Sequence, residues 1–479
     1  MHIFLVFSAS LIKTIITMKF RSVFNITSTF LLLLAVFFIH SCTKDESSNL
    51  IDLTPQFTVD VTDLDFNNVV LNQVSTRQSF VIDATNLTNE LIVTSSEAQF
   101  EISRDGAIYT NTLSFTATNA NIDDKLIYVR FAPNNQNLGT IEGTVTISSV
   151  DAGTETISVT GNSVLATETV TNVQTFQNSR HGFGNGLSQT RTGSFEFPFD
   201  MTQVSKITMY VQLECPGEGC NAWDVFANIA VKNPLNASWM EIGRYITPYG
   251  VDNHQLERGF EIDVTDFKSM LSGTVELKSF VEVWGADGWN VSVDFDVTTG
   301  GDIAYPYYAI AEILQYNRHS LDGIPYGVPN NFDVDKTVTI PDNAEVTNLR
   351  TIITGWGHAT PNDPGGRPCA EWCFRIHQVL INGTTGFVHD MNAIGCGSNP
   401  VQPQGGNWAP DRAGWCPGMA VPNRIDSFTT SMAGETFTFE YDLEDWTSDS
   451  GGTSNAYYAI SNFVVVKSNT PIETPIVTE

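Results

Sequence analysis

Past residue 42, apolar and polar residues alternate over short runs, and no long stretch reads as an amphipathic helix. Ile207-Thr208-Met209-Tyr210-Val211 and Val291-Ser292-Val293-Asp294-Phe295 are examples. A period of two puts one face of an extended strand in a core and the other in water, whereas a helix needs apolar residues three and four apart. Clusters of Gly, Asn, Asp and Pro separate the runs and read as turns. The chain is therefore expected to be all-β, made of sandwiches or barrels. Its 479 residues leave room for roughly two to four such domains. Charged residues are only 16% and aromatics 11%, which is core-forming material. Acidic residues outnumber basic ones 53 to 24, a net charge of −29, which argues against a nucleic-acid surface or an anionic lipid surface as partner.

The first residues read as a targeting segment. Lys19 and Arg21 form a basic region, Leu31 to Ile39 an apolar run too short to span a bilayer, and Ser41-Cys42 follows like a lipobox. Residues 1–42 are thus expected to be a lipoprotein signal peptide, with Met18 a candidate true start and Cys42 the lipidated residue. An ordinary signal peptide with a stray cysteine is the alternative. Lys44-Asp45-Glu46 is similar to the acidic signal of surface-directed lipoproteins. The expected location is the outer membrane, exposed on the cell surface.

Without Cys42, six cysteines remain: Cys215, Cys220, Cys369, Cys373, Cys396 and Cys416. An even number in an exported chain reads as three disulfides. Sequence proximity favours Cys215–Cys220, Cys369–Cys373 and Cys396–Cys416. A zinc site is the rival, but no Cys-x-x-Cys or His-Glu-x-x-His occurs, so no metal and no cofactor is expected.

Composition changes near residue 165. All nine tryptophans and all six of these cysteines lie beyond it. Val129-Arg130-Phe131-Ala132-Pro133 and Ile157-Ser158-Val159-Thr160-Gly161 resemble Ig-like sandwiches of bacterial surface proteins, so residues 43–165 are expected to form an accessory or spacer domain. A second boundary falls at Thr298–Pro306, giving domains 166–302 and 303–472, with residues 473–479 a frayed tail.

Three carboxylates stand beside tryptophans. Asp224 follows Trp223 just after the Cys215–Cys220 loop. Glu282 lies within Phe280-Val281-Glu282-Val283-Trp284. Glu371 lies in Cys369-Ala370-Glu371-Trp372-Cys373. A ring that small would stabilise the fold by only about 2 kcal/mol, against about 3 kcal/mol for a loop like 396–416, so its better use is to aim one side chain. Carboxylates against apolar walls can act as acid or base. Each also has a plain structural reading: a turn cap, the solvent face of an edge strand, a structural ring. Gly355-Trp356-Gly357-His358, and Arg412 between Trp408 and Trp415, add groups that suit a sugar.

From about Asn172 to about Pro471 the chain resembles the bacterial peptide-N-glycosidase F family. The phrases are Phe183-Gly184-Asn185-Gly186-Leu187-Ser188-Gln189, Glu241-Ile242-Gly243-Arg244, Glu261 to Lys268, Cys369 to Arg375, and Asn407 to Pro422. The resemblance implies two side-by-side antiparallel jelly-roll sandwiches with the site in the crevice between them, and the same three disulfides. It implies an amidase that cuts the bond between asparagine and the first N-acetylglucosamine, leaving aspartate and a glycosylamine. Asp224 would be the principal catalytic residue, Glu371 the residue contacting substrate and reactive water, and Glu282 a supporting carboxylate. Arg412, Trp356, Trp284, Trp223, Tyr249 and His358 would bind substrate. Gly250 and Val251 stand where a bulky Trp can occur, which implies a wider pocket. The implied partners are N-glycoproteins or glycopeptides and, through the anchor, a membrane; the chain is expected to be monomeric. A non-catalytic glycan-binding lipoprotein on the same scaffold, and an endoglycosidase cutting between sugars, are the rivals.

Overall fold

A computed structural model describes residues 53–134, 138–316, 324–325, 334–445 and 456–479. Cys42 and the leader before it lie outside the described residues. Among those residues there is no α-helix; strands carry the fold, with two short 3-10 turns at Thr265–Phe267 and Cys396–Ser398.

The N-terminal part is a two-sheet sandwich. Strands Gln56–Val59, Gln78–Thr85, Ile122–Phe131 and Phe100–Ser103 form one sheet. Asp63–Val70, Gly153–Val164, Gly139–Ser149, Leu91–Ser95 and Thr112–Phe115 form the other. Phe80, Ile82, Val145 and Ile147 come from both sheets and are all fully buried in one core. Alternate residues of these strands point inward, as the period of two requires.

The second sandwich pairs a sheet of Ala166–Gln174, Trp289–Gly301, Val204–Glu214 and Phe260–Asp263 with a sheet of Thr190–Glu196, Thr274–Val281, Phe226–Lys232 and Trp239–Ile246. The third has Tyr307–Tyr316, Tyr457–Ser468, Val346–Trp356 and Arg424–Ser427 in one sheet. Its other sheet holds Thr384–Asp390, Ile376–Ile381, Thr436–Asp442, Val334–Thr339 and Ile476–Thr478. Two expectations need correction. The tail does not fray: Ile476–Thr478 pairs antiparallel with Val334–Thr339, which satisfies its backbone. The division near residue 302 is not clean either. Met419–Ala420, far into the second half, pairs with Tyr245 and Ile246 and extends the first half's sheet.

Alternation breaks down where the two sandwiches meet. Phe226–Lys232, Trp239–Ile246, Val346–Trp356 and Tyr457–Ser468 are buried nearly throughout, on both faces. A sheet covered on both sides must be apolar on both sides. Phe226, Ile246, Ile352, Trp356, Trp415 and Tyr457 fill this seam. At its centre Glu241 and Arg244 form a fully buried ion pair at 2.8 Å. Arg244 also donates to Thr354 Oγ1 at 2.8 Å and to the Ala459 carbonyl at 2.7 Å, and Ser461 donates to Glu241 at 2.5 Å. The pair thus spans both sandwiches. A buried pair of this kind adds little net stability over an apolar one, but losing one partner costs about 3–5 kcal/mol.

Candidate active site

The three disulfides Cys215–Cys220, Cys369–Cys373 and Cys396–Cys416 are formed. Asp224 sits in the loop between the first of them and strand Phe226–Lys232. Three contacts fix this loop. Asn221 Oδ1 accepts the Trp223 N–H at 3.0 Å, Thr247 Oγ1 accepts the Val225 N–H at 2.9 Å, and the Thr247 hydroxyl donates to the Trp223 carbonyl at 3.2 Å.

Glu371 is held at both ends of its backbone. Its N–H donates to the Gly357 carbonyl at 3.1 Å, and its carbonyl accepts the Ala413 N–H at 2.9 Å. The Cys369–Cys373 ring closes around it. The Cys369 and Cys373 side chains are buried, so the ring is anchored in the core, and the Glu371 side chain, itself mostly buried, meets Arg412.

Arg412 joins the two carboxylates. It is fully buried, with Nη2 3.4 Å from Asp224 Oδ2 and Nε 3.2 Å from Glu371 Oε1. Nη2 also donates to the Tyr249 hydroxyl at 3.0 Å, and Nη1 donates to the Trp408 and Pro410 carbonyls at 3.4 and 2.8 Å. Its guanidinium stacks over Trp372 at 4.3 Å. Every side of this cation is therefore occupied, and the planar fork sets where both carboxylates stand. The Cys396–Cys416 bond tethers the loop that carries it, and Asp411 Oδ1 pins that loop by accepting the Gly395 and Cys396 N–H groups. Cys396, Asp411 and Cys416 lie close enough to suggest a metal cluster, but the two sulfurs are bonded to each other and offer no thiolate.

Asp224 is mostly buried, and desolvation together with the nearby Glu371 pushes its pKa up to about 7. Arg412 and the Tyr249 hydroxyl pull the other way and do not cancel that rise. Tyr249 is itself held well above the usual phenol range by burial and by Asp224, so it stays a hydrogen-bond donor. His358 is raised from the usual imidazole range, chiefly by its hydrogen bond to Glu371. Its Nε2 lies 3.5 Å from Glu371 Oε2 and 3.0 Å from the Trp372 indole nitrogen. In the neutral ring Nε2 accepts from Trp372; once protonated, it has Glu371 as acceptor.

The third carboxylate stands apart. Glu282 is buried beside the same strand, its N–H donating to the Phe226 carbonyl at 2.9 Å, and its side chain hydrogen-bonds the Tyr457 hydroxyl of the other sandwich. The structure thus places two of the three acids on one guanidinium and the third on a tyrosine across the seam.

The predicted aromatic residues separate into two kinds. Trp356 is buried in the seam, 4.6 Å from Trp415 between ring centroids, and its indole N–H goes to Thr354. Trp223 and Trp284 are 68% and 61% exposed, unusually open for indoles. Phe183, absent from the candidate residues, packs edge-on to Trp284 at 5.0 Å and is itself exposed. Its N–H donates to the Gly285 carbonyl, which ties the two loops together. The signal was its place in Phe183-Gly184-Asn185-Gly186, a turn with Gly184, Asn185 and Gly186 all at positive φ. Gly250 also has positive φ, and its N–H donates to the Asn221 carbonyl, so this glycine serves the backbone. Val251, partly buried, packs against the first half's core.

Residues 328–465 match the model of the family described as peptide-N-glycosidase F, C terminal. A curated relative, the peptide-N(4)-(N-acetyl-beta-D-glucosaminyl)asparagine amidase F of Elizabethkingia miricola, is 52% identical over 308 residues, which covers 64% of this chain and 86% of the relative. The solved structure of PNGase F, a glycosylasparaginase from Flavobacterium meningosepticum, is 50% identical and superposes with a TM-score of 0.63, covering 65% of this chain and all of that one. PNGF-II superposes with a TM-score of 0.50 over 82% of this chain at 12% identity, which is a likeness of fold alone. That share exceeds what residues 166–479 supply, so this likeness extends into the N-terminal sandwich.

Proposed function

Because the chain belongs to the peptide-N-glycosidase F family, we propose that it is the amidase its architecture fits: it hydrolyses the bond between asparagine and the first N-acetylglucosamine of N-glycoproteins or glycopeptides. The observation that carries the reading is the single buried Arg412 holding Asp224 from one sandwich against Glu371 from the other.

The chemistry is amide hydrolysis. Water must attack the side-chain carbonyl, and the sugar-bearing nitrogen must leave with a proton. With a pKa of about 7, Asp224 can lose and regain a proton within one turnover at neutral pH. It takes the proton of the attacking water and delivers it to the departing nitrogen. The oxygen stays on what becomes aspartate, and the glycosylamine departs. Glu371, set by Arg412 and His358, orients the water and the core sugar. Trp223, Trp284 and Phe183 present ring faces to the glycan. A glycan-binding protein without activity would gain nothing from a buried carboxylate whose ionisation costs free energy.

Deglycosylation in heavy-oxygen water tests this. The amidase leaves one labelled oxygen in a new aspartate. A single N-acetylglucosamine left on asparagine would instead mean an endoglycosidase, and unchanged peptides with retained glycan binding a lectin.

The Ser41-Cys42 pattern after a basic and apolar leader supports lipidation of Cys42 and anchoring at the outer membrane, facing outward. Fatty-acid labelling that survives Cys42→Ala would overturn it. Residues 43–165 then act as a spacer that carries the amidase away from the membrane, and the chain acts as a monomer.

A further inference from the structure

Tyr249 belongs to the first sandwich by sequence, but the second half of the chain holds it. It is buried, in Thr247-Pro248-Tyr249-Gly250, just past the strand Trp239–Ile246. Met419–Ala420 pairs with the end of that strand, and the Gly418 N–H donates to the Ile246 carbonyl at 3.0 Å. The loop inside the Cys396–Cys416 disulfide then continues along the same edge. The Tyr249 N–H donates to Gln404 Oε1 at 2.9 Å, and the Gly405 N–H donates to the Tyr249 carbonyl at 2.8 Å. Both backbone groups of a buried residue, which need partners, thus find them in the second half.

Gln404 is itself pinned. It is buried, and its Nε2 donates to the Val401 and Pro417 carbonyls at 2.8 and 3.0 Å. Pro417 directly follows Cys416, so this amide is fixed to the closing end of the disulfide loop. Gly406 supplies a wall for the ring. Its backbone is not among the glycines at positive φ, so a turn does not require glycine there. The Tyr249 ring does: a Cβ on residue 406 would stand 2.2 Å from its Cδ1 and 2.5 Å from its Cγ. Cγ is the root of a rigid ring, so it yields to a methyl group only by carrying the hydroxyl with it. That hydroxyl accepts from Arg412 Nη2 at 3.0 Å and donates to Asp224.

We infer that Gln404 and Gly406 are positioning residues for the hydrolysis: they clasp Tyr249 by its backbone and its ring, and so set where its hydroxyl meets Asp224. The inference rests on the amidase reading. It also predicts a titration. Of the groups that face Asp224, Glu371, itself beside His358, raises its pKa, while Arg412 and the Tyr249 hydroxyl lower it. Displacing the hydroxyl removes one of the two lowering contacts, so Asp224 should ionise at higher pH.

Carboxyl-carbon NMR of the full chain, labelled at its aspartates, tests this beside kcat/KM on an N-glycopeptide. The Asp224 signal is the one missing from Asp224→Asn. Gly406→Ala should move the Asp224 titration to higher pH and lower kcat/KM by about tenfold to a hundredfold, chiefly through kcat. Residue 406 is exposed, so Tm should stay close to the parent's. Gln404→Met, which keeps the length of the side chain and removes its hydrogen bonds, should shift the titration the same way, as should Tyr249→Phe. In the Tyr249→Phe background, Gly406→Ala should cost about twofold at most and shift nothing further, because no hydroxyl is left to misplace. A parent-like Asp224 titration in Gly406→Ala and Gln404→Met, or a Gly406→Ala loss that adds in full to that of Tyr249→Phe, overturns the clasp. A parent chain that leaves no labelled aspartate in heavy-oxygen water overturns the amidase reading instead, and the titration still reports on the clasp.

Discussion

Asp224 and Arg412 meet at 3.4 Å across 188 residues of sequence, one from each sandwich. On the proposed mechanism the reactive group and the cation beside it belong to different halves of the chain, so the chemistry depends on how the halves are registered against each other.

Asp224→Asn should reduce kcat/KM by a factor of about 10³ or more while leaving the fold intact. The sign of its effect on stability follows from the raised pKa. The group's stabilising contribution is present below the carboxylate's ordinary value and lost as pH rises through about 7. Above neutrality the neutral amide removes a charge that the fold disfavours, so Tm at pH 8 should be unchanged or higher. A clear fall in Tm at pH 8 would contradict this.

The pH profile of kcat/KM should rise through about pH 7 as Asp224 ionises to become the base. A profile flat from pH 5 to 9 would assign the proton transfers elsewhere.

Replacing Cys369 and Cys373 together with Ala should separate stability from activity. The small ring contributes only about 2 kcal/mol to the fold, but it aims Glu371. The expected outcome is a modest shift in denaturant midpoint beside a loss in kcat/KM of about 10²-fold. Proportionate losses in both would mean that the ring is structural.

Arg244→Met leaves Glu241 buried with no cation. The expected cost is about 3–5 kcal/mol, read by denaturant unfolding. Replacing Glu241 with Gln in the same chain should recover part of it. A neutral single variant would show that the seam takes up water.

Phe183→Ala should raise KM by about threefold to tenfold on intact N-glycopeptides with kcat nearly unchanged, because an exposed ring contributes binding and not proton transfer. Loss of kcat alone would remove Phe183 from the glycan surface.

Much of this was legible in the residues. The period of two in Val291 to Phe295 announces a half-buried strand, and that strand has the expected alternation. The proximity pairing of six cysteines follows the short loops they close. The seam was not legible. Tyr457–Ser468 is covered on both faces, and nothing local in it says what lies on the second face. Glu241 and Arg244 read as two charges three residues apart, which on most surfaces would face water. Trp356 reads as a cleft residue because glycines flank it, yet tertiary packing draws its ring into the seam. For Phe183 the glycine-rich turn that follows hints at a surface position, but its partner Trp284 is about a hundred residues away and only the fold brings the two rings together.

The strand Met419–Ala420 has a consequence for biosynthesis. Tyr245 and Ile246 receive their last sheet partner only after some 170 further residues have been made. Until then the first half has an open edge, and Arg412 has not arrived. On the proposed mechanism the nascent chain cannot cleave glycoproteins while it is being made, and its catalytic power switches on only when its two halves close together.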